Sequence, residues 1–372
     1  MSVAPETQPA LKEIFNQRRL RHIAKETKAV CPAFNAARFL ARVSEGLDGL
    51  SIMQRMRRIA TSLHECLPLN FESTLVTLRK LAPRLNHPFA ALALSEYVAL
   101  YGTDHFQASI EALRFLTSFG SSEFAIRRFL ERDLDRTLGV MLGWSLDENE
   151  HVRRLASEGS RPRLPWSFRL QPLIADPSRS FVILERLHAD PSTAVRKSVA
   201  NHLNDISKDH PDWLLERIAG WPLEEARTAW IVRHGLRTLI KKGHQGALAM
   251  VGAAESAKIR LRMFAVQPAT VRLGQRVTIT VELESIADSE QRLVIDYAIH
   301  YVKQRGPTAA KVFKLRTLTL RARESITLSG QRLIGRFSTR VHYAGLHEVE
   351  LLINGRSQGK RTFALRDVGA TG

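Results

Sequence analysis

The sequence predicts a mainly α fold: a HEAT-like array of helix pairs over residues 1–255, then an all-β sandwich of immunoglobulin type over residues 256–372. Up to about residue 255, apolar residues recur three and four positions apart, the spacing of one helical face. Two stretches in that part repeat one pattern 43 residues apart. After Lys258 the period drops to two, the alternation of half-buried strands.

Residues 10–30 form the first expected helix, with Leu11, Ile14, Phe15, Leu20 and Ile23 at helical spacing. Residues 34–47, 51–67 and 71–81 repeat the pattern. Ile52, Met56, Ile59, Leu63 and Leu67 line the apolar side of the third helix, and Arg55, Arg57 and Arg58 are expected on its solvated side. Pro68 closes that helix. From Pro88 to Gly252 similar helical units follow one another. DENEHVRRLA (147–156) is echoed by DPSTAVRKSVA (190–200), with weaker echoes at FAIRRF (124–129) and WIVRHGL (230–236). An Asp before the turn is expected to cap each helix, and the Arg that follows to stay exposed. The spacing is close to the roughly 40–47 residues of HEAT repeats, and Arg repeated on one helix of each unit would line a concave face.

Residues 150–166 stand out. Val152, Leu155 and Ala156 form an apolar strip, and Gly159 is expected to end the helix. Pro162 and Pro165 then impose a stiff loop that carries Arg161 and Arg163 and ends in Trp166. The strand region contains period-two stretches at 277–284, 292–301, 311–320 and 348–353. Gly274-Gln275, Gly306-Pro307, Gly330-Gln331 and Asn354-Gly355 are expected turns, the last being the strongest hairpin signal. About seven strands in some 110 residues suit a sandwich, although the Cys and Trp core of antibody domains is missing.

The formal net charge is +18 with a pI near 10.5, which points to a polyanion, foremost nucleic acid. Residues 257–372 hold 20 Lys and Arg against 9 Asp and Glu, so the smaller C-terminal part carries +11 of the excess. No stretch of about 18 apolar residues occurs, and the first residues lack the order of a signal peptide, so the cytoplasm is expected. Cys31 and Cys66 form no CxxC or Cys/His cluster; neither a metal nor a cofactor is expected.

Three long motifs carry a resemblance: VRRLASEGSRPRLPW (152–166), SVANHLNDISKDHP (198–211) and WIVRHGLRTLIKKG (230–243). With the opening LKEIFN (11–16), they resemble the AlkC family of bacterial DNA alkylation repair glycosylases, in the variant with an immunoglobulin-like C-terminal domain. The resemblance spans nearly the whole chain. It implies a monofunctional DNA glycosylase, acting as a monomer on duplex DNA, that removes cationic 3-methyladenine and 3-methylcytosine without rotating the lesion into a pocket. It also implies a catalytic cluster of Glu123, Glu158, Trp166 and Asp205.

The chemistry suits those residue types. A base alkylated at N3 carries positive charge, so its glycosidic bond is already weak and its departure needs no strong general acid. Carboxylates can stabilise the oxocarbenium-like sugar and activate water, and an indole face adds a cation–π contribution. Each residue also has a structural reading: Glu158 as the i,i+4 surface partner of Arg154, Trp166 as a packing aromatic, Glu123 as a helix-start residue and Asp205 as a cap before Lys208. DNA-binding residues are expected at Arg154, Arg161, Arg163, His202, Lys208, Arg233, His234, Arg237, Lys241 and Lys242, with a second clamp at Lys311, Lys314 and Arg316 beside Lys303 and Arg305. The rival reading is a non-catalytic scaffold for damaged or bent DNA, in which Glu123 and Glu158 would be dispensable.

Overall fold

The structure is a computed structural model that describes residues 11–68, 70–253, 256–305, 308–335 and 341–366; the expected turn at Gly306-Pro307 lies outside them. The chain divides into two units, Met1–Ile206 and Ser207–Gly372.

In the first unit a short 3-10 turn, Leu11–Phe15, leads into α1 (Gln17–Val30), α2 (Ala36–Ser44), α3 (Ile52–Cys66) and α4 (Phe71–Leu81). Each begins where the sequence places a side-chain oxygen. Asn16, Asn35 and Asn70 accept from backbone amides of the first turn, and Ser51 with Gln54 closes a capping box. Next come α5 (Pro88–Tyr101), α6 (Phe106–Leu116), α7 (Ile126–Arg132), α8 (Leu134–Trp144), α9 (Glu150–Gly159), α10 (Gln171–Ala175), α11 (Ser178–Leu187) and α12 (Thr193–Ile206). Helix α5 is buried almost all round, as its run of Ala and Leu requires.

One expected surface residue lies inside. Arg55 is buried: its Nε donates to the Leu47 carbonyl at 3.1 Å and its Nη1 to that of Lys12 at 3.0 Å. It supplies donors to carbonyls of the short 3-10 turns, a contact set by tertiary packing rather than by the period of α3. Arg57 and Arg58 do stay near the surface, on Glu96 and on the carbonyls of Arg42 and Glu45.

The repeated stretches are structurally equivalent, but their arginines are not on display. Arg153 Nη1 donates to the carbonyls of Asp147 and Glu148, and Arg196 Nη1 to those of Asp190 and Pro191. In each repeat the Arg six residues after the Asp closes its own entry turn. Arg153 also pairs with Asp190 of the next repeat, at 2.7 and 3.2 Å, and that hydrogen-bonded carboxylate holds its pKa above the ordinary value. Arg153 thus staples repeat to repeat, while Arg196 holds its own entry turn and Thr193. Nor does Asp147 cap α9: Asn149 does, while Asp147 accepts from the Asn149 amide one turn earlier.

The second unit holds α13 (Pro211–Ile218), α14 (Ala226–Gly235), α15 (Arg237–Lys241) and α16 (Gln245–Met250), then eight strands. These are β1 (Ile259–Gln267), β2 (Thr270–Arg272), β3 (Arg276–Ser285), β4 (Gln291–Tyr301), β5 (Ala309–Leu320), β6 (Ser325–Leu333), β7 (Gly345–Ile353) and β8 (Arg356–Arg366). One sheet runs β1-β3-β6 and the other β2-β8-β7-β4-β5, and Ile279, Val281, Leu293, Ile295, Val349 and Phe363 pack between them. Strand β4 is buried on both faces, with Val294, Asp296 and Ala298 pointing away from that core.

Asn354 and Gly355, at φ 48° and 75°, join β7 to β8 as the type I′ pair expected of Asn-Gly. Gly355 also meets Gly243, since a Cβ on Gly355 would come within 2.4 Å of the Gly243 Cα. Gly330-Gln331 is no turn. It lies within β6, opposite Ile279 and Thr278, and a Cβ on Gly330 would come 2.6 Å from Leu315 Cδ1, so the glycine serves close approach.

Candidate functional site

Helix α9 and the loop after it form one wall of a cavity of about 350 Å³ in the first unit. Pro88, Phe89 and Leu92 at the start of α5 line it, with Ser121, Glu123 and Phe124 ahead of α7, Arg154 and Glu158 of α9, and Arg161, Leu164, Pro165 and Trp166. No lysine lines it. The apolar strip Val152, Leu155 and Ala156 is buried as expected, which turns Arg154 and Glu158, one helical turn apart, towards the cavity.

Those two residues do not pair with each other. Arg154 Nη2 donates to Glu123 Oε2 at 2.7 Å and its Nη1 to Ser121 Oγ at 3.1 Å, and the Ser121 hydroxyl donates to the same carboxylate oxygen at 2.8 Å. Glu158 is only 6% exposed and receives Arg161 Nη1 on Oε1 at 2.6 Å. Arg161 Nε donates to Asp205 Oδ2 at 2.9 Å. Burial works against the Arg161 charge, but the Glu158 and Asp205 carboxylates more than offset it and hold its pKa above the ordinary value. Glu123 and Glu158 are therefore each fixed by an arginine on one oxygen, and the other oxygen of each has no protein partner among the described residues. An ionised carboxylate with one oxygen fixed and one open suits stabilisation of a cation or activation of water.

Trp166 is 56% exposed, at φ 65°, and also borders a second cavity of about 250 Å³ shared with Phe124, Arg128 and Phe168. A bulky residue in the left-handed region costs on the order of 1–3 kcal/mol and persists where its surroundings over-determine it. The surroundings here are the two prolines and Arg127. That arginine, which sequence reasoning passed over as a repeat echo, is completely buried and donates to the carbonyls of Gly159 at 3.0 Å, Arg161 at 2.7 Å and Phe168. Burial pulls its pKa down to about 10, and nearby Arg161 adds to that. The doubled Arg at 127–128, matching 153–154, was the available signal. Gly159 ends α9 as expected, but for packing: a Cβ there would come 2.5 Å from Ile126 Cγ2.

Three expected site residues sit differently from the sequence reading. Asp205 is 2% exposed and reaches the cavity only through Arg161, and Arg161 itself is buried between two carboxylates with no face for DNA. His202 is fully buried on α12 and cannot meet a phosphate. Its Nδ1 donates to the Ser157 carbonyl at 3.0 Å and its Nε2 lies 3.3 Å from Ser180 Oγ. Burial lowers its pKa to about 4. The unfolded chain therefore binds a proton below about pH 6.5 that the folded protein refuses, so stability falls with pH from about 6.5 towards 4. Between pH 7 and pH 5 this amounts to about 2 kcal/mol, and urea midpoints should show that share of the acid sensitivity disappear in His202→Asn.

Arg163 is half-buried in the loop. In the second unit Lys208, Arg233, Lys241 and Lys242 are exposed; Arg237 donates to the His234 carbonyl at 2.7 Å, and the His234 ring stacks on Trp230 at 5.0 Å. Lys311, Lys314 and Arg316 are exposed along β5, an outer strand of its sheet, and Lys303 and Arg305 are exposed just past β4. Lys241 and Lys314 converge on Asp296, whose carboxyl burial pushes up to about 6 while both ammonium groups pull it back. The basic residues of α15 and β5 thus share one region.

Comparison with known proteins agrees. Residues 55–239 match the family model of DNA alkylation repair enzymes, and residues 260–367 match that of the YhaZ C-terminal Ig-like domain. The uncharacterised protein YhaZ of Bacillus subtilis is 39% identical over 354 residues, which cover 95% of this chain and 98% of that one. The structure of the Pseudomonas fluorescens alkylpurine DNA glycosylase AlkC, bound to DNA containing an abasic site analog, superposes with a TM-score of 0.94. It is 54% identical, over 96% of this chain and all of that one. With helices leading into an Ig-like sandwich and with likeness along nearly its whole length, this chain belongs to the AlkC family of DNA alkylation repair enzymes.

Proposed function

We propose that the protein is a monofunctional DNA glycosylase that hydrolyses the N-glycosidic bond of cationic N3-alkylated bases, 3-methyladenine and 3-methylcytosine, in duplex DNA. The observation that carries this reading is the pair of carboxylates on one cavity, each held by an arginine on one oxygen and open on the other. As the C1′–N bond breaks, its electron pair leaves with the base, which becomes neutral. Glu123 and Glu158 offset the charge left on the sugar, and the exposed Trp166 indole presents its face to a cation. Water adds at C1′ and gives its proton to an open carboxylate oxygen. With no lysine on the cavity, water rather than an amine is the nucleophile. A departing cation needs no protonation, so the base can stay stacked, without the enclosing pocket that extrusion requires. Asp205 acts as a positioning residue, through Arg161 on Glu158.

The test is single-turnover base release from a duplex bearing one 3-methyladenine or 3-methylcytosine. Release from both is expected, slowed about 10- to 30-fold in Trp166→Ala, the size of one partly desolvated cation–π contact. No release by the wild-type protein, with tight and salt-sensitive DNA binding, would leave only a scaffold.

A further inference from the structure

The first unit has a polar cavity of about 440 Å³ that the glycosylase chemistry does not use, lined by Asn16, Arg18, Arg19, His22 and Asn86. Its donors are not consumed. Asn16 Oδ1 accepts from the Arg19 amide at 3.0 Å, which caps α1 and leaves the Asn16 side-chain nitrogen without a partner among the described residues. Asn86 Oδ1 accepts from Arg19 Nη1, which likewise leaves the Asn86 nitrogen, and Arg19 Nε is buried without a partner. Arg18 is exposed and makes no ion pair among the described residues. No carboxylate among the described residues lines the cavity: the neighbouring Glu26 is held by Arg84 at 2.7 Å and lies outside it. His22 Nε2 is taken by the Arg84 carbonyl at 3.1 Å, so two guanidinium groups and two amide nitrogens remain to make a receptor for a tetrahedral oxyanion, with the His22 ring beside them.

Its position gives the source of the anion. Asn86 lines this cavity, and Pro88 and Phe89 line the one that holds Glu123 and Glu158. Between them His87, whose Nδ1 accepts from the Phe89 amide at 3.1 Å, is depressed in pKa by burial and by the Arg19 guanidinium. Three residues of chain span at most about 11 Å, and phosphates of one strand advance about 3.4 Å each along the duplex axis, so the adjoining walls of the two cavities lie within about three nucleotides. We infer that the cavity of Arg18, Arg19, His22, Asn16 and Asn86 is a phosphate subsite, which holds a backbone phosphate of the DNA about three nucleotides from the base at Glu158. It fixes register along the strand and leaves the reaction itself untouched. The inference rests on the proposed reading only for what lies at Glu158.

The test compares the full-length protein with Arg18→Gln, an exposed change that leaves the Arg19–Asn86 bond in place, and with Arg19→Gln. Affinity for a duplex with an abasic-site analogue is measured from 50 to 300 mM salt. Each variant should flatten the slope of log affinity on log salt by about one and weaken binding about tenfold at 100 mM, with single-turnover release at saturating DNA within twofold of wild type. An unchanged slope in both variants overturns the subsite. Inorganic phosphate titrated against the free protein and followed at the His22 ring separates the sources: binding there with an unchanged DNA slope means free phosphate and also overturns the inference. The abasic duplex needs no catalysis, so a wild type that released no base would refute the glycosylase reading and leave this result legible.

Discussion

Glu158→Gln is expected to slow base release by about 10²- to 10⁴-fold, while affinity for a duplex with an abasic-site analogue stays within about threefold. The substitution keeps the shape of the side chain and an oxygen that accepts from Arg161 Nη1, so the loop and its neighbours have no reason to move. What disappears is a negative charge at a buried position, where low local dielectric makes it worth more than at the surface. Glu123→Gln should cost less, because its carboxylate is the more exposed of the two and is shared between Arg154 and Ser121. The measurement is single-turnover release at saturating DNA for both variants, alongside abasic-site binding. Rates equal to wild type in both would remove the carboxylates from the chemistry and favour the scaffold, in which arginines alone matter. Equal losses of binding and release would mean that the substitution had damaged the interface.

The helix starts and ends, the switch from period 3.6 to period 2 and the Asn354-Gly355 hairpin were readable because each is fixed within a few residues by capping, proline or left-handed backbone. The stretch from Glu150 to Trp166 was readable for the same reason. Its partners were not. The local rule pairs Arg154 with Glu158, but packing of α9 between the segment ahead of α7 and α12 sends Arg154 to Glu123 and Glu158 to Arg161 and, beyond it, Asp205. The Arg154–Glu123 and Arg161–Asp205 contacts join residues 31 and 44 positions apart, and no periodicity encodes them. The same limit hid Arg55, Arg127 and His202, polar residues taken inside, where each donates to backbone carbonyls distant in sequence or outside its own helix. A basic chain invites every arginine to be read as a phosphate contact, yet Arg153, Arg161 and Arg196 are all spent within the protein.

Arg161→Met should therefore behave as a stability variant first. Removing the guanidinium takes from Glu158 and Asp205, 6% and 2% exposed, the buried cation that they share, a loss on the order of 3–5 kcal/mol. Adding Asp205→Asn removes one of the two negative charges that Arg161 bridges and should recover part of the loss, because contacting residues do not contribute additively. Urea midpoints at pH 7 of the wild type, Arg161→Met, Asp205→Asn and the double variant decide the matter. A change below about 1 kcal/mol, with a flatter salt dependence of DNA binding, would return Arg161 to the phosphate-binding role that sequence alone suggested. A large loss that Asp205→Asn relieves would establish that one buried cation holds α9, its following loop and α12 around the carboxylate on which the proposed chemistry depends.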